Sequence, residues 1–219
     1  MPAITDAGAP PVSFSRPVPR KRKPTKPRGQ MAPFSLEALN LIRATLKAKG
    51  AVRDLALLNL AVDSMLRAGD LITLKVGELL DPFHNTIRPT VKVVQRKVSK
   101  VVAINLSART CADLLALIRT EGKYAGDDLF TPAGQPHGRH ISKVRLRKIV
   151  KGWAKIAHLN PDTFSGHSLR RTKAVHLYRV TGNVAAVARL LGHSNLANTL
   201  AYLGVSEAEA GELAQRFDM

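Results

Sequence analysis

GHSLRRTKAVHLYRVTGNVAAVARLLGHSNLANTLAY, residues 166–202, carries two helix-stopping glycines and, among its ionisable side chains, His167, Arg170, His193 and Tyr202. Gly182 ends a helix that starts near His167, after the cap-rich loop Asn160–Ser165. Asn183 is placed to cap a short helix reaching Leu191, Gly192 stops it, and Ser194 is placed to cap a further helix running to about Leu203. His167 and Arg170 stand three apart, so they share a helix face and can address one small target. The first free N–H groups of that helix would also point toward a bound phosphate. Arginine offers a flat fork of donors that fits a phosphate and stays charged. Histidine, here His167 and His193, exchanges a proton near neutrality. Tyr202 adds a phenol, which is a competent nucleophile only where neighbours stabilise its developing negative charge. These are parts for phosphoryl transfer onto a tyrosine.

The run HSLRRT, then LLGHS, then Tyr202 resembles the tyrosine recombinase (phage integrase) family. That family's C-terminal motif is H-x-x-R, then a second histidine or tryptophan, then the nucleophilic tyrosine. The resemblance covers about residues 34–219. It implies a mainly α domain with a small antiparallel β-sheet (α+β), and an enzyme that cleaves and rejoins DNA through a 3′-phosphotyrosyl link. It also implies double-stranded DNA as partner, no cofactor and no metal. By the same resemblance Arg67 and Arg170 hold the scissile phosphate, His193 adds a hydrogen bond, and His167 manages the tyrosine proton.

Upstream of the motif, Ser142–Ala157 reads as a basic helix with Lys143, Arg145, Arg147, Lys148, Lys151 and Lys155. It is either a solvated face or one that lies along a DNA backbone; Lys143, Arg147 and Arg171 are the candidates for DNA contact. Trp153 on the same helix reads as core. Before it, Ala108–Thr120 is a packing helix. Val91–Gln95 and Val101–Leu106 are β-branched runs joined by a short polar turn, a hairpin signature. Lys97 opens that turn and Lys100 closes it. Lysines at hairpin tips are usually solvated charges, but the family keeps a catalytic lysine in this hairpin; Lys97 fits the position, with Lys100 as the alternative.

Further upstream, Ser35 caps a helix carrying Leu36, Leu39, Ile42 and Leu46, closed at Gly50. Val52 to about Leu66 is apolar on most sides and so central to the core. Arg67 follows, three residues before Asp70, which is placed to pair with it. That is a local salt bridge on its own; the family sets its first catalytic arginine in a G-x-R-x-x-E/D context, and Met65 stands where its small residue is usual.

Residues 1–33 hold eight of the thirteen prolines and the cluster RPVPRKRKPTKPR, including Arg20, Lys21, Arg22 and Lys23. This composition reads as a disordered basic tail able to track DNA phosphates. Residues 34–219 read as one catalytic domain. Family members usually carry a separate N-terminal core-binding domain; the expectation here is a tail instead, similar to the short fimbrial-switch invertases, with an accessory protein as a conceivable substitute. At the other end, SEAEAGELAQRFDM is acidic, with Ala210, Leu213, Ala214 and Phe217 on one face. Family members often place such a helix in a neighbouring protomer, which implies a homo-oligomer, a tetramer on DNA.

Lysine and arginine total 34 against 16 acids, a formal charge of +18 that favours a polyanionic partner. The lone Cys111 cannot form an internal disulfide, which suits a reducing cytoplasm; with DNA as the implied partner, the expected place is the cytoplasm, associated with the nucleoid. No apolar stretch follows the N-terminus, so neither a signal peptide nor a membrane span is expected. Two other readings use the same residues. A non-catalytic regulator would use the helix–glycine turn–helix as a helix-turn-helix reader, without needing Tyr202. A type IB topoisomerase-like enzyme would share the chemistry but relax supercoils.

Overall fold

The structure, a computed structural model, describes residues 30–97 and 99–204. The basic cluster with Arg20, Lys21, Arg22 and Lys23 and the acidic C-terminal stretch lie outside them. The elements run α1 Leu36–Ala48, α2 Val52–Ser64, α3 Ala68–Ile72, α4 Val76–Leu79, β1 Leu80–Asp81, β2 Thr86–Ile87, β3 Thr90–Gln95, β4 Lys100–Asn105, α5 Ala108–Thr120, α6 Lys143–Ile156, a 3-10 turn at Pro161–Thr163, α7 Gly166–Thr181, α8 Val184–Leu191 and α9 Leu196–Leu203. The expected α+β class, mainly helical with small antiparallel pairings, is the one observed.

Helix α2 is central because its apolar residues do not keep to one stripe. Ala56, Leu57, Leu58, Leu60 and Ala61 are all buried, and the helix packs against α1, α5 and α7. The main core also takes in Phe34, Phe130, Ile149, Val150 and Trp153, so the tryptophan is core as expected. Caps form where short polar residues precede apolar periodicity: Ser35, Ser107, Ser142 and Asn183 each accept a hydrogen bond from the first turn of their helix. Three details differ from the sequence reading. Leu36 is 53% exposed, because α1 turns only Ala38, Leu39, Ile42 and Leu46 inward. Asn195, whose side chain accepts from the N–H of Ala197, caps α9 in place of Ser194. Residues 30–33 are not part of a free tail: the Ala32 N–H donates to the Thr163 carbonyl at 3.0 Å.

Strands β3 and β4 pair antiparallel, with Val93 opposite Val102 and Gln95 opposite Lys100. Val91, Val93 and Gln95 face inward on β3, and Val102 and Ile104 on β4. The hairpin meets α8 at Gly192, whose φ of 70° is the left-handed region. A Cβ there would lie 2.8 Å from Val102 Cγ1, so glycine permits both the turn and the approach. A second apolar cluster of Met65, Ala174, Val175, Val187, Leu191 and Leu203 holds α7, α8 and α9 together, and Tyr202 packs against it.

Candidate active site

Two turns of backbone set the arginines. Met65, at the end of α2, has φ 49°, where an L-residue is strained by about 1 kcal/mol; this is the position at which the family's small residue is usual. The buried Met65 side chain offsets that cost by packing in the second cluster. The chain then extends through Arg67, the residue before α3. Above it, α7 begins with a reciprocal cap: Ser165 Oγ accepts from the N–H of His167, and Ser168 Oγ from the N–H of Ser165. The cap therefore uses the His167 N–H that the sequence reading left free for a phosphate. A Cβ on Gly166 would sit 3.0 Å from Ala68 Cβ, so glycine lets α7 start directly on α3. That brings the His167–Arg170 face over Arg67.

Arg170 is 2% exposed and bridges three elements. Its Nη1 donates to the Met65 carbonyl at 2.5 Å and its Nη2 to the Leu191 carbonyl at 2.6 Å. Two of its five N–H donors fix its position, which leaves others for a ligand. Gln95 Nε2 donates to the same Leu191 carbonyl at 3.3 Å, joining the hairpin to this frame. Burial pulls Arg170 down to about 10, still charged at neutrality.

Tyr202 lies against Arg170, and the charges of Arg171 and, more weakly, Arg67 also act on its phenol. Burial pushes the phenol up to about 12, and the three guanidinium groups oppose that rise, Arg170 most strongly. The hydroxyl lies against Arg170 yet completes no hydrogen bond of ordinary geometry with a described residue. The Tyr202 ring meets His193 edge to face, centroids 5.5 Å apart. His193 Nδ1 lies 3.0 Å from the hydroxyl of the buried Thr199, which orients the ring. Desolvation, then Arg170 and Arg67, hold His193 below the usual imidazole range. The same causes act on His167, with Lys97 as a further one, although His167 is exposed as a whole residue.

Two clefts flank the arginines. One of about 700 Å³ is lined by Arg67, Asp70, Arg96, Lys97, His140 and Lys143 among others. The other, of about 480 Å³, is lined by Gln30, Met31, Arg147, His167, Arg171 and Tyr202 with Ser165. Lys97 is therefore the hairpin lysine at a cleft, whereas Lys100 is the first residue of β4 and lines neither. Helix α6 supplies one cation to each cleft, Lys143 and Arg147.

Two expectations are corrected. Asp70 forms no ion pair with Arg67; its Oδ1 accepts the backbone N–H of Arg96 at 3.1 Å, tying the lysine hairpin to α3. Asp70 is buried and points toward the hairpin turn, where the Arg96 N–H meets it. Arg171, expected to contact DNA, is 6% exposed, and its guanidinium carbon lies 5.7 Å from the Tyr202 ring centroid. Adjacent helix positions cannot share a face, so Arg171 turns behind the tyrosine while Arg170 turns toward Met65.

Around this centre Arg67 Nη1, Asp70 Oδ2, Arg171 Nε and the Tyr202 hydroxyl are buried without a hydrogen-bond partner among the described residues. Buried polar atoms are normally paired, so such a concentration marks a place prepared for a ligand. Sequence reasoning missed Gln95, Thr199, Gln30 and Met31. Gln95 carried a signal: it is a polar residue at an inward position of an alternating strand. Among the described residues no group of three His, Cys, Asp or Glu side chains is arranged to hold a metal ion, and no helix is long and apolar enough to cross a membrane.

The phage integrase family model matches residues 33–209. The chain is 30% identical over 173 residues to the tyrosine recombinase XerD of Xanthomonas campestris pv. campestris, which covers 75% of this chain and 52% of that one. It spans about half the length of the curated relatives it matches. The fold resembles the XerA recombinase (TM-score 0.66, 16% identity, 90% of this chain and 67% of that one). It resembles equally the XerH site-specific recombinase in a pre-cleavage complex with its difH substrate (TM-score 0.66, 20% identity, 89% and 57%). With the motif, the fold and this match over most of its length, the chain belongs to the phage integrase family.

Proposed function

We propose that this protein is a site-specific DNA recombinase that cuts and rejoins strands through Tyr202. The observation that carries the reading is the Tyr202 phenol lying against Arg170 with His193 edge-on to its ring, near the buried and unpartnered Arg67 Nη1. A phosphodiester offers acceptor oxygens, so it would satisfy the Arg67 Nη1 donor. Its non-bridging oxygens accept from Arg67 and from the free N–H groups of Arg170, and His193 adds a third donor. His167, neutral at physiological pH, takes the phenol proton as Tyr202 Oη bonds to phosphorus. The bond from phosphorus to the 5′ oxygen breaks, and the Lys97 ammonium gives that oxygen its proton. The 3′ phosphate stays on the tyrosine, so the energy of the ester is retained. A second 5′ hydroxyl reverses the steps and joins a new strand without ATP. The guanidinium and ammonium charges stabilise the transition state from fixed positions, which needs no reorganisation during reaction.

In this reading double-stranded DNA is the partner, and the cations Lys143 and Arg147 track its backbone. The test is a nicked duplex that loses its short 5′ fragment on cleavage and so traps the intermediate. The expected result is an SDS-resistant protein–DNA adduct that disappears in Tyr202→Phe. Binding without any adduct would leave the regulator reading standing, and relaxation of supercoils without joined recombinants would favour the topoisomerase-like one.

A further inference from the structure

Helix α9, which carries Tyr202, is held by little of its own surface: of its eight residues only Thr199 and Leu203 are buried. The link before it, from Ser194 to Asn195, is exposed. The second apolar cluster takes Leu203 and the flank of Tyr202, and a polar contact adds to that hold. Arg171 lies behind the phenol, nearly fully buried, and forms no ion pair with a described residue. A guanidinium this deeply buried is costly to keep, so its placement calls for a role. Its guanidinium faces the Tyr202 ring at cation–π distance, and its Nη1 donates to the Met31 carbonyl. Its Nη2 reaches the C-terminal end of α9, 3.6 Å from where a Cβ on Gly204 would stand. Beside it Gln30 Nε2 donates to the carbonyl of Ala201, the residue before the tyrosine.

Residues 30–34 are themselves well anchored. The Ala32 N–H donates to the Thr163 carbonyl and the Phe34 N–H to Thr172 Oγ1, both at 3.0 Å. The Phe34 ring packs on Phe164, centroids 4.4 Å apart. We propose that Arg171, braced by the backbone of residues 30–34, is a positioning residue that clasps α9 and holds Tyr202 in the site of its own chain. This rests on Tyr202 being the nucleophile. Arg171 touches the ring and not the reacting oxygen, so it acts on where the phenol sits. The segment that runs out toward the basic N-terminal stretch is thereby coupled to the nucleophile.

The test uses the full chain with Arg171→Ala, Arg171→Lys and Gln30→Ala. It measures adduct formation in a single turnover at saturating nicked DNA, DNA affinity, and amide hydrogen exchange in residues 196–203 against residues 54–62. Displacing a reacting group by about 1 Å costs on the order of 100-fold, so Arg171→Ala slows cleavage by about that much. DNA affinity changes by less than about 3-fold, because the loss falls on the chemical step. Lysine keeps the charge but cannot both stack on the ring and reach Met31, so it restores only part of the rate. Exchange quickens in 196–203 and not in 54–62, in Arg171→Ala and, less strongly, in Gln30→Ala. Wild-type cleavage and wild-type protection of 196–203 in Arg171→Ala would overturn the clasp. If that variant loses protection in 54–62 as well, it has lost the fold; the exposed Gln30→Ala then decides, and unchanged protection of 196–203 overturns the proposal. If the wild-type chain makes no adduct, the nucleophile reading fails, and the exchange comparison still reports whether Arg171 holds α9.

Discussion

His167 and His193 are both held below the ordinary imidazole value of 6.5, by desolvation first and the arginines second. Each therefore sheds its proton at a lower pH than a free histidine. If His167 takes the phenol proton, cleavage at sub-saturating DNA rises with pH and levels off before neutrality, with a midpoint below 6.5. A pH profile of adduct formation checks this, and in His167→Gln the acid limb should vanish. The same depression has a stability consequence of determined sign. The unfolded chain binds the proton more readily, so stability falls as pH drops through 6.5 toward the lower folded value. Arg67→Ala tests the electrostatic role: removal of one preorganised donor from a developing oxyanion costs about 100- to 1,000-fold in rate. Equal loss of cleavage and of DNA binding in that variant would count against the assignment. His167, Arg170, His193 and Tyr202 were singled out by residue types suited to phosphoryl transfer and by the spacing of the family motif, and the structure sets His193 and Arg170 beside Tyr202. The Met65 and Leu191 carbonyls that fix Arg170 were not legible in the sequence, since a backbone oxygen leaves no trace in residue identity. Asp70 was read as a partner for Arg67 from helical spacing and the family's context, and neither shows that the N–H of Arg96 in the hairpin turn meets it.

The longer helices were legible through their caps, stops and apolar period, and α5 falls on the residues that its period gives, whereas the short α3 and α4 had no such signal. Where the sequence offered two adjacent cap residues, Ser194 and Asn195, only tertiary placement could choose between them. Glycines at the junctions carry more than chain reversal. Gly192 ends α8 with φ 70°, and a Cβ on it would lie 2.8 Å from Val102 Cγ1 and 3.1 Å from Gln95 Nε2. Gly192→Ala therefore imposes left-handed strain and pushes β4 away from α8, a cost of about 2–3 kcal/mol together. For a domain of this size that lowers the melting temperature by roughly 5–10 °C. Because Gln95 and Arg170 share the Leu191 carbonyl at this joint, cleavage should fall more than stability alone explains at a temperature where the variant is folded. Calorimetry and single-turnover cleavage on one preparation check both parts. A melting temperature within about 1 °C of the wild type would show that the joint yields freely.

Across the whole molecule the charge is uneven, and that unevenness gives a measurable property. The chain carries a formal +18, and the cleft walls add Lys143 and Arg147 from α6 to the cations of the centre. The run Arg16–Arg28 concentrates seven more cations upstream of residue 30, where the chain is tied to Arg171 and Ala201. That tie fixes where the basic run departs from the domain, on the side of the Tyr202 cleft. DNA seated over the tyrosine would then lie within its reach. Each phosphate neutralised by a cation contributes about 0.9 to the slope of log affinity against log salt. Replacing Arg20, Lys21, Arg22 and Lys23 with glutamine should therefore flatten that slope by up to about 3.6, and weaken binding most at low salt. The loss should be nearly the same on any duplex sequence, since phosphate contacts carry no base information. Lys143→Gln with Arg147→Gln should flatten it by about 2 more. Titrations of a labelled duplex at several salt concentrations measure both. A slope unchanged by the four substitutions would mean that the basic run does not touch the backbone, leaving the cleft cations to carry the salt dependence.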